Sequence, residues 1–251
     1  RSPNRRTFAA GSSANTAVGR IAMLRIIVAC LLLVAAPAVA ADAALSPQAQ
    51  ALIAPVREAL DAERARQAAL PPPADDSEKL LRLGAMDQVG RRVLTKIDLT
   101  VLPPEEIPGA RKAMWAPIEA ADDENLKALL KMVPKEGWFL KSRYGEKPAN
   151  AAFHIIQHSD VEQWKRFVPV LEPLVVTGEV DGQSFGLMYD RLALNEGRPQ
   201  RYGSQMTCEA GKWVPDRLED PARVEEWRKA MGFPQTFAEY LEHWKTYPPC
   251  T

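Results

Sequence analysis

Four polar side chains fall on one stripe of an otherwise apolar segment. Asn150, His154, Gln157 and His158 stand at i, i+4, i+7 and i+8, which on a helix is a single face. Ala151, Ala152, Phe153, Ile155 and Ile156 fill most of the remainder, so the helix should be buried. Polar groups withdrawn from water must find partners, and several on one stripe imply a hydrogen-bonded network or a pocket. Two histidines one turn apart could also ligate a metal. However, no HExxH glutamate lies between them and the only other histidine is His243, so neither a metal nor another cofactor is expected. What remains to an imidazole in this setting is proton transfer near neutral pH.

Two further strings are rich in polar groups. Asp190-Arg191 is followed by Glu196-Gly197-Arg198-Pro199-Gln200-Arg201-Tyr202-Gly203-Ser204-Gln205. Three arginines within eleven residues could grip a carboxylate or phosphate bidentately. Equally, Asp190 and Glu196 could be their partners in a structural clamp. The GxxxxGK[ST] spacing of a phosphate loop is absent. The other string is Asp87-Gln88-Val89-Gly90-Arg91. Its acid and base sit at i, i+4 in the favourable order, a pair that on a surface contributes only ~0.3–0.5 kcal/mol.

Helices must carry these strings. Ser46–Leu70 is Ala-rich with no internal Gly, and Ser46-Pro47 is a good N-cap and first helical position. Pro71-Pro72-Pro73 stops it and forms a stiff linker. Asp75–Ile97, Glu105–Val133, Ala149–Asp160, Val161–Val176 and Ser184–Asn195 follow with helical spacing. Pro117 should bend the second of these, and Pro169 and Pro173 should kink or shorten the fourth. Gln205–Glu209 and Lys212–Pro215, joined through Ala210-Gly211, read as a small hairpin near residues 204–216. Pro221–Met231 and Thr236–Lys245 close the chain with short helices. The expected fold is all-α with a minor β-hairpin: an Ala-rich helix and Pro linker over residues 41–73, loosely packed, then a helical domain over 74–251.

In this order, Asp87-Gln88-x-x-Arg91, Asp122-x-x-Asn125, Gly137-Trp138, Gln157-His158-Ser159-Asp160, Asp190-Arg191 and Glu196-Gly197-Arg198-Pro199-Gln200-x-Tyr202-Gly203-Ser204-Gln205 resemble the bacterial domain-of-unknown-function family DUF6624. The resemblance runs from about Glu78 to Leu241. It implies a mostly helical domain, often found in exported or lipid-anchored proteins, with no established activity. Phe139 stands where such domains carry Pro, His154 where they carry an apolar residue, and Cys208 and Cys250 look particular to this chain.

The first 40 residues read as an address. Met23-Leu24-Arg25 precedes the apolar run Ile26–Ala36, then Pro37 and Ala38-Val39-Ala40. This is the pattern of a signal peptide, Met23–Ala40, cleaved before Ala41; residues 1–22 read as an extension upstream of the true start. Those 40 residues hold five arginines and no acid, which leaves 27 of the 32 basic residues against all 32 acidic ones, a net charge of −5. A body of that sign argues against nucleic-acid binding. No stretch after residue 40 is apolar enough to span a membrane. In an oxidising compartment Cys208 and Cys250 should pair, closing a loop worth ~4 kcal/mol in the chain-entropy account.

These readings converge on an exported protein, periplasmic or secreted. Its function is expected to be that of a binding or interaction module of the cell envelope with one polar pocket, its partner a small anionic ligand or an envelope protein. The ligand-facing residues would be Asp87, Gln88, Arg91, Gln157, Arg191, Gln200, Arg201, Tyr202 and Gln205. The alternative is a hydrolase or lyase. There His158 is the general base, Asp160 or Asp190 orients it, and Arg191 and Arg201 clamp the anion. No GxSxG nucleophile elbow is present.

Overall fold

The computed structural model describes residues 45–247 and Cys250; the expected signal peptide, Met23–Ala40, and the extension before it lie outside these residues. Local signals set most helix ends. Helix α1 (Pro47–Ala68) begins where the Ser46 hydroxyl accepts from the Ala49 N–H at 3.1 Å, and α2 (Asp76–Leu94) where Asp75 accepts from Glu78 at 2.8 Å. Helix α3 (Ile107–Leu130) follows. The Ser46 hydroxyl also donates to Glu106 at 2.6 Å, joining the starts of α1 and α3. Ala49, Val56 and Leu60 of α1 are buried with Met86 of α2 and Met114 and Ile118 of α3. The Ala-rich helix is therefore well packed, because its few large apolar residues share one side.

The second core takes another face of α2, around Leu80. It gathers Trp138 and Phe139 from the connection after α3, Phe153 and Ile156 from α5 (Glu146–Gln157), Phe167 and Leu171 from α6 (Val161–Val176), and Phe185 and Met188 from α7 (Gly182–Asn195). A single turn of helix, α4 (Lys141–Tyr144), precedes α5. Burying one such side chain contributes ~1.5–3 kcal/mol.

The expected start of the helix at Ala149 and the shortening at Pro169 and Pro173 both change. Helix α5 starts three residues before Ala149, with Pro148 in its first turn, where a missing N–H has no intrahelical partner to lose. Helix α6 is a continuous segment through Pro169 and Pro173. Both prolines are exposed, as is Lys165, so carbonyls freed on that side face water. Helix α3 likewise runs through Pro117.

The position that matters most to the site is Gly84 on α2. A Cβ built there would lie 2.6 Å from the Cβ of Ala151 on α5. Only glycine lets the two backbones approach this closely, and the contact sets the register in which Asp87 of α2 meets the end of α5.

After α7 the chain leaves through Gly197 at φ +75°. Strands β1 (Met206–Glu209) and β2 (Lys212–Pro215) pair antiparallel, Cys208 opposite Trp213, through a turn with Ala210 and Gly211 both at positive φ. Helices α8 (Val224–Ala230) and α9 (Phe237–Trp244) follow, α9 opened by a capping box of Thr236 and Glu239. Cys208 and Cys250 form a disulfide with Cα atoms 5.7 Å apart. No helix among the described residues is long and apolar enough to cross a membrane.

Candidate functional site

The Gly84–Ala151 crossing brings Asp87 against His158, which caps the C-terminus of α5. Asp87 is 2% exposed. Its two oxygens lie 2.8 and 3.1 Å from His158 Nδ1, and Gln88 Nε2 donates to Oδ2 at 2.6 Å. Arg91 donates to the Asp87 carbonyl at 2.7 Å and, more weakly, to Oδ1 at 3.3 Å. The same guanidinium forks onto Asp122 of α3 at 2.8 and 2.7 Å. A chain of charge thus runs Asp122–Arg91–Asp87–His158 through three helices. Burial by itself would raise the Asp87 carboxyl. The hydrogen bond from His158, the charges of His158 and Arg91, and the Gln88 amide outweigh it and hold the group below the usual carboxylate range. In the neutral form of His158, an ionised Asp87 assigns the ring proton to Nδ1 and leaves Nε2, on the far side, as an acceptor.

Beside this pair runs a groove of about 420 Å³ between α2 and α5. Gln88 and His154 connect the two features. Gln88 holds Asp87 and lines the groove; His154 lines it too and lies parallel to the His158 ring, centroids 6.3 Å apart. Burial depresses the basicity of His154. Asp87 opposes this, and the neighbouring charges of His158 and Arg91 reinforce it. The apolar lining is Leu81, Gly84, Ala85 and Ala151, and the charged lining residues are Arg92 and Lys147, with Asn150 completing the polar part. No acid lines it.

The Asp190 string is organised differently. Asp190 is fully buried. Its carboxylate accepts from the backbone N–H groups of Arg201 at 2.8 Å, Tyr202 at 3.0 and 3.2 Å, and Ser204 at 3.0 Å. Burial still pushes its carboxyl up, against the pull of those amides. Gln200, also fully buried, donates to the carbonyls of Gln205 and Asp216 at 2.8 and 2.9 Å and accepts from the Gln205 N–H at 2.9 Å. The Gln205 side chain donates to Ser204 Oγ at 3.0 Å. Tyr202 packs between Tyr189 and Phe233, and burial pushes its phenol up to about 12. Arg201 is paired with Glu219 at 3.0 Å. Gly203 combines φ +63° with a close approach of the Phe237 ring, where a Cβ would meet it at 2.5 Å.

The sequence-derived residues therefore divide. Asp87, Gln88, Arg91 and His158 come together. Asp190, Gln200, Arg201, Tyr202 and Gln205 form a second, separate cluster. The carboxylate on His158 is Asp87, whereas Asp160 caps α6 by accepting from Gln163 at 3.0 Å. Gln157 is half-buried in the last turn of α5. Arg191 lies half-buried with its guanidinium 5.9 Å from the Trp164 ring, and burial lowers its pKa. Arg92 and Lys147 escape the sequence reading. Arg92 follows Gln88 at i+4 and Lys147 precedes Asn150 at i−3, so extending each polar stripe by one turn would have found them.

A helical domain with two buried polar networks, one opening beside a groove, is the class of protein defined here. The chain belongs to DUF6624, a family of unknown function, whose model matches residues 74–246. Comparison with curated proteins and with solved structures found no match.

Proposed function

We propose that this chain is an exported binding module of the cell envelope whose α2–α5 groove takes a small anionic ligand. The observation that carries the reading is the lining. Arg92 and Lys147 are its charged groups, Gln88 and Asn150 carry amides, and none of its lining residues is an acid. The disulfide between Cys208 and Cys250 supports export, since such bonds persist in oxidising compartments. The test is a thermal-shift screen with phosphate, citrate, succinate and uncharged controls. A ligand at 100 times its Kd adds about 2.7 kcal/mol of stability. An anion should raise Tm in the wild type and not in Lys147→Glu or Arg92→Glu. Equal shifts in the variants would remove the groove from the account.

One observation favours a second reading, a hydrolase or lyase. Asp87 on Nδ1 is the arrangement that presents Nε2 of His158 as a general base. Turnover of p-nitrophenyl phosphate or acetate that disappears in His158→Ala and is weakened in Asp87→Asn would support it. Turnover unchanged in His158→Ala would exclude this histidine as the base.

A further inference from the structure

We infer that a second groove, between the hairpin and the end of α9, binds an acidic oligosaccharide. It has a volume of about 440 Å³ and is lined by Gly211, Lys212, Trp213, Val214, Trp244, Lys245 and Tyr247. Trp213 is 36% and Tyr247 47% exposed. These are large apolar faces to leave in water on a chain that buries Trp138 and Phe139 completely. The rings form one contiguous cluster, Trp213 tilted 51° to Trp244 at 5.4 Å and Trp244 stacked with Tyr247 at 4.7 Å. Its two walls come from distant parts of the chain and are clamped covalently. Cys208 stands directly opposite Trp213 across the hairpin, and its disulfide partner Cys250 lies three residues beyond Tyr247. The exposed faces of a clamped aromatic cluster are surfaces on which the C–H faces of sugar rings stack with little conformational cost.

Charge selects among the ligands that such a cluster would take. Aromatic faces attract cations, but both charged residues lining the groove are lysines, and Lys212 makes no ion pair among the described residues. Lys245 is held by Glu242 at 2.5 Å. A cationic ligand is therefore disfavoured and a carboxylate is favoured. A nucleic acid would present stacking faces and negative charge too, but the chain after residue 40 carries a net −5, which opposes a polyanion of that density. A bilayer surface also takes Trp, Tyr and Lys, yet it needs a protruding patch, and this one is concave. A saccharide bearing a carboxylate satisfies the rings, the lysines and the concavity together.

The test uses the mature chain and three probes: trigalacturonate, neutral cellotriose, and vesicles of anionic phospholipid. Tryptophan fluorescence and calorimetry should show trigalacturonate binding about tenfold more tightly than cellotriose. Trp213→Ala should weaken it about tenfold, and Lys212→Gln by a smaller factor, with the cellotriose affinity unchanged by the lysine substitution. Lys212 is exposed on the hairpin, so that variant keeps the inference testable if Trp213→Ala fails to fold. No binding of trigalacturonate at millimolar concentration would overturn it. So would equal binding of cellotriose, an undiminished affinity in Lys212→Gln, or binding to the vesicles alone.

Discussion

Asp87 and Asp190 are both buried carboxylates on the inner side of a helix, and their surroundings differ in kind. Asp190 is satisfied by backbone amides of one loop, Arg201, Tyr202 and Ser204. Asp87 is satisfied by side chains, His158, Gln88 and Arg91, drawn from its own helix and the end of another. A backbone amide does not titrate and cannot be swung aside, so the Asp190 cluster is a fastening. A histidine partner is a side chain that can turn, and in the neutral ring the nitrogen far from Asp87 is an acceptor. The electrostatics follow the same division. Burial prevails at Asp190 and raises its carboxyl, whereas charged partners prevail at Asp87 and lower it.

The sharpest break of this contrast is Asp190→Ala. It strands three backbone N–H groups in a buried loop, and at ~1–3 kcal/mol each the loss should be about 5 kcal/mol. Urea denaturation would measure it, and a loss below about 1 kcal/mol would mean that the loop holds itself. Asp87→Ala comes next. Arg91 keeps Asp122 while His158 Nδ1 and the Gln88 amide lose their partner, so the cost should be about 3 kcal/mol by the same method. Gly84→Ala drives a methyl into Ala151 and should cost about 2 kcal/mol while shifting the His158 ring resonances. An Ala variant as stable as wild type would show that the helix crossing has slack.

The smallest effect is a pH dependence. His154 in the folded chain is held below the ~6.5 of an exposed imidazole. The unfolded chain therefore takes up that proton first. The His154 contribution is whole above about pH 6.5 and is lost as pH falls through the folded value. Asp87, also depressed, contributes above about pH 4 and loses its share below it. In His154→Leu the first loss should vanish and the second remain. A variant with the wild-type pH profile between pH 6.5 and 5 would contradict this assignment of the upper step.

The helices were legible because their ends are written in local chemistry: Ser46-Pro47, Asp75 before Asp76-Ser77-Glu78, Gly197 after α7. Prolines at first-turn and solvent-facing positions did not end helices: α5 starts before Pro148, and α6 is not shortened at Pro169 and Pro173. The hairpin announced itself through Ala210-Gly211 between two short apolar runs. In the polar clusters, a stripe of His and Asn revealed that α5 carried something buried, but Asp87–His158 spans 71 positions and Arg91–Asp122 spans 31. Pairs that far apart leave no periodic signal. Arg201 and Gln200 read as ligand groups because their side chains are polar. Their loop is instead held by amides that every residue but proline possesses, and no sequence pattern distinguishes an amide that will be bound by Asp190.

The central claim is that the two networks differ in function, the α2–α5 side meeting a ligand and the Asp190 side holding the fold. Amide and imidazole chemical-shift mapping of the protein, titrated with the anion that most raises Tm, tests it most directly. The predicted result is saturable shifts at Gln88, Arg92, Lys147, Asn150, Ala151 and His154, with Tyr202, Ser204 and Gln205 unmoved. Shifts that gather on Arg201 to Gln205 and leave α2 and α5 unchanged would contradict it.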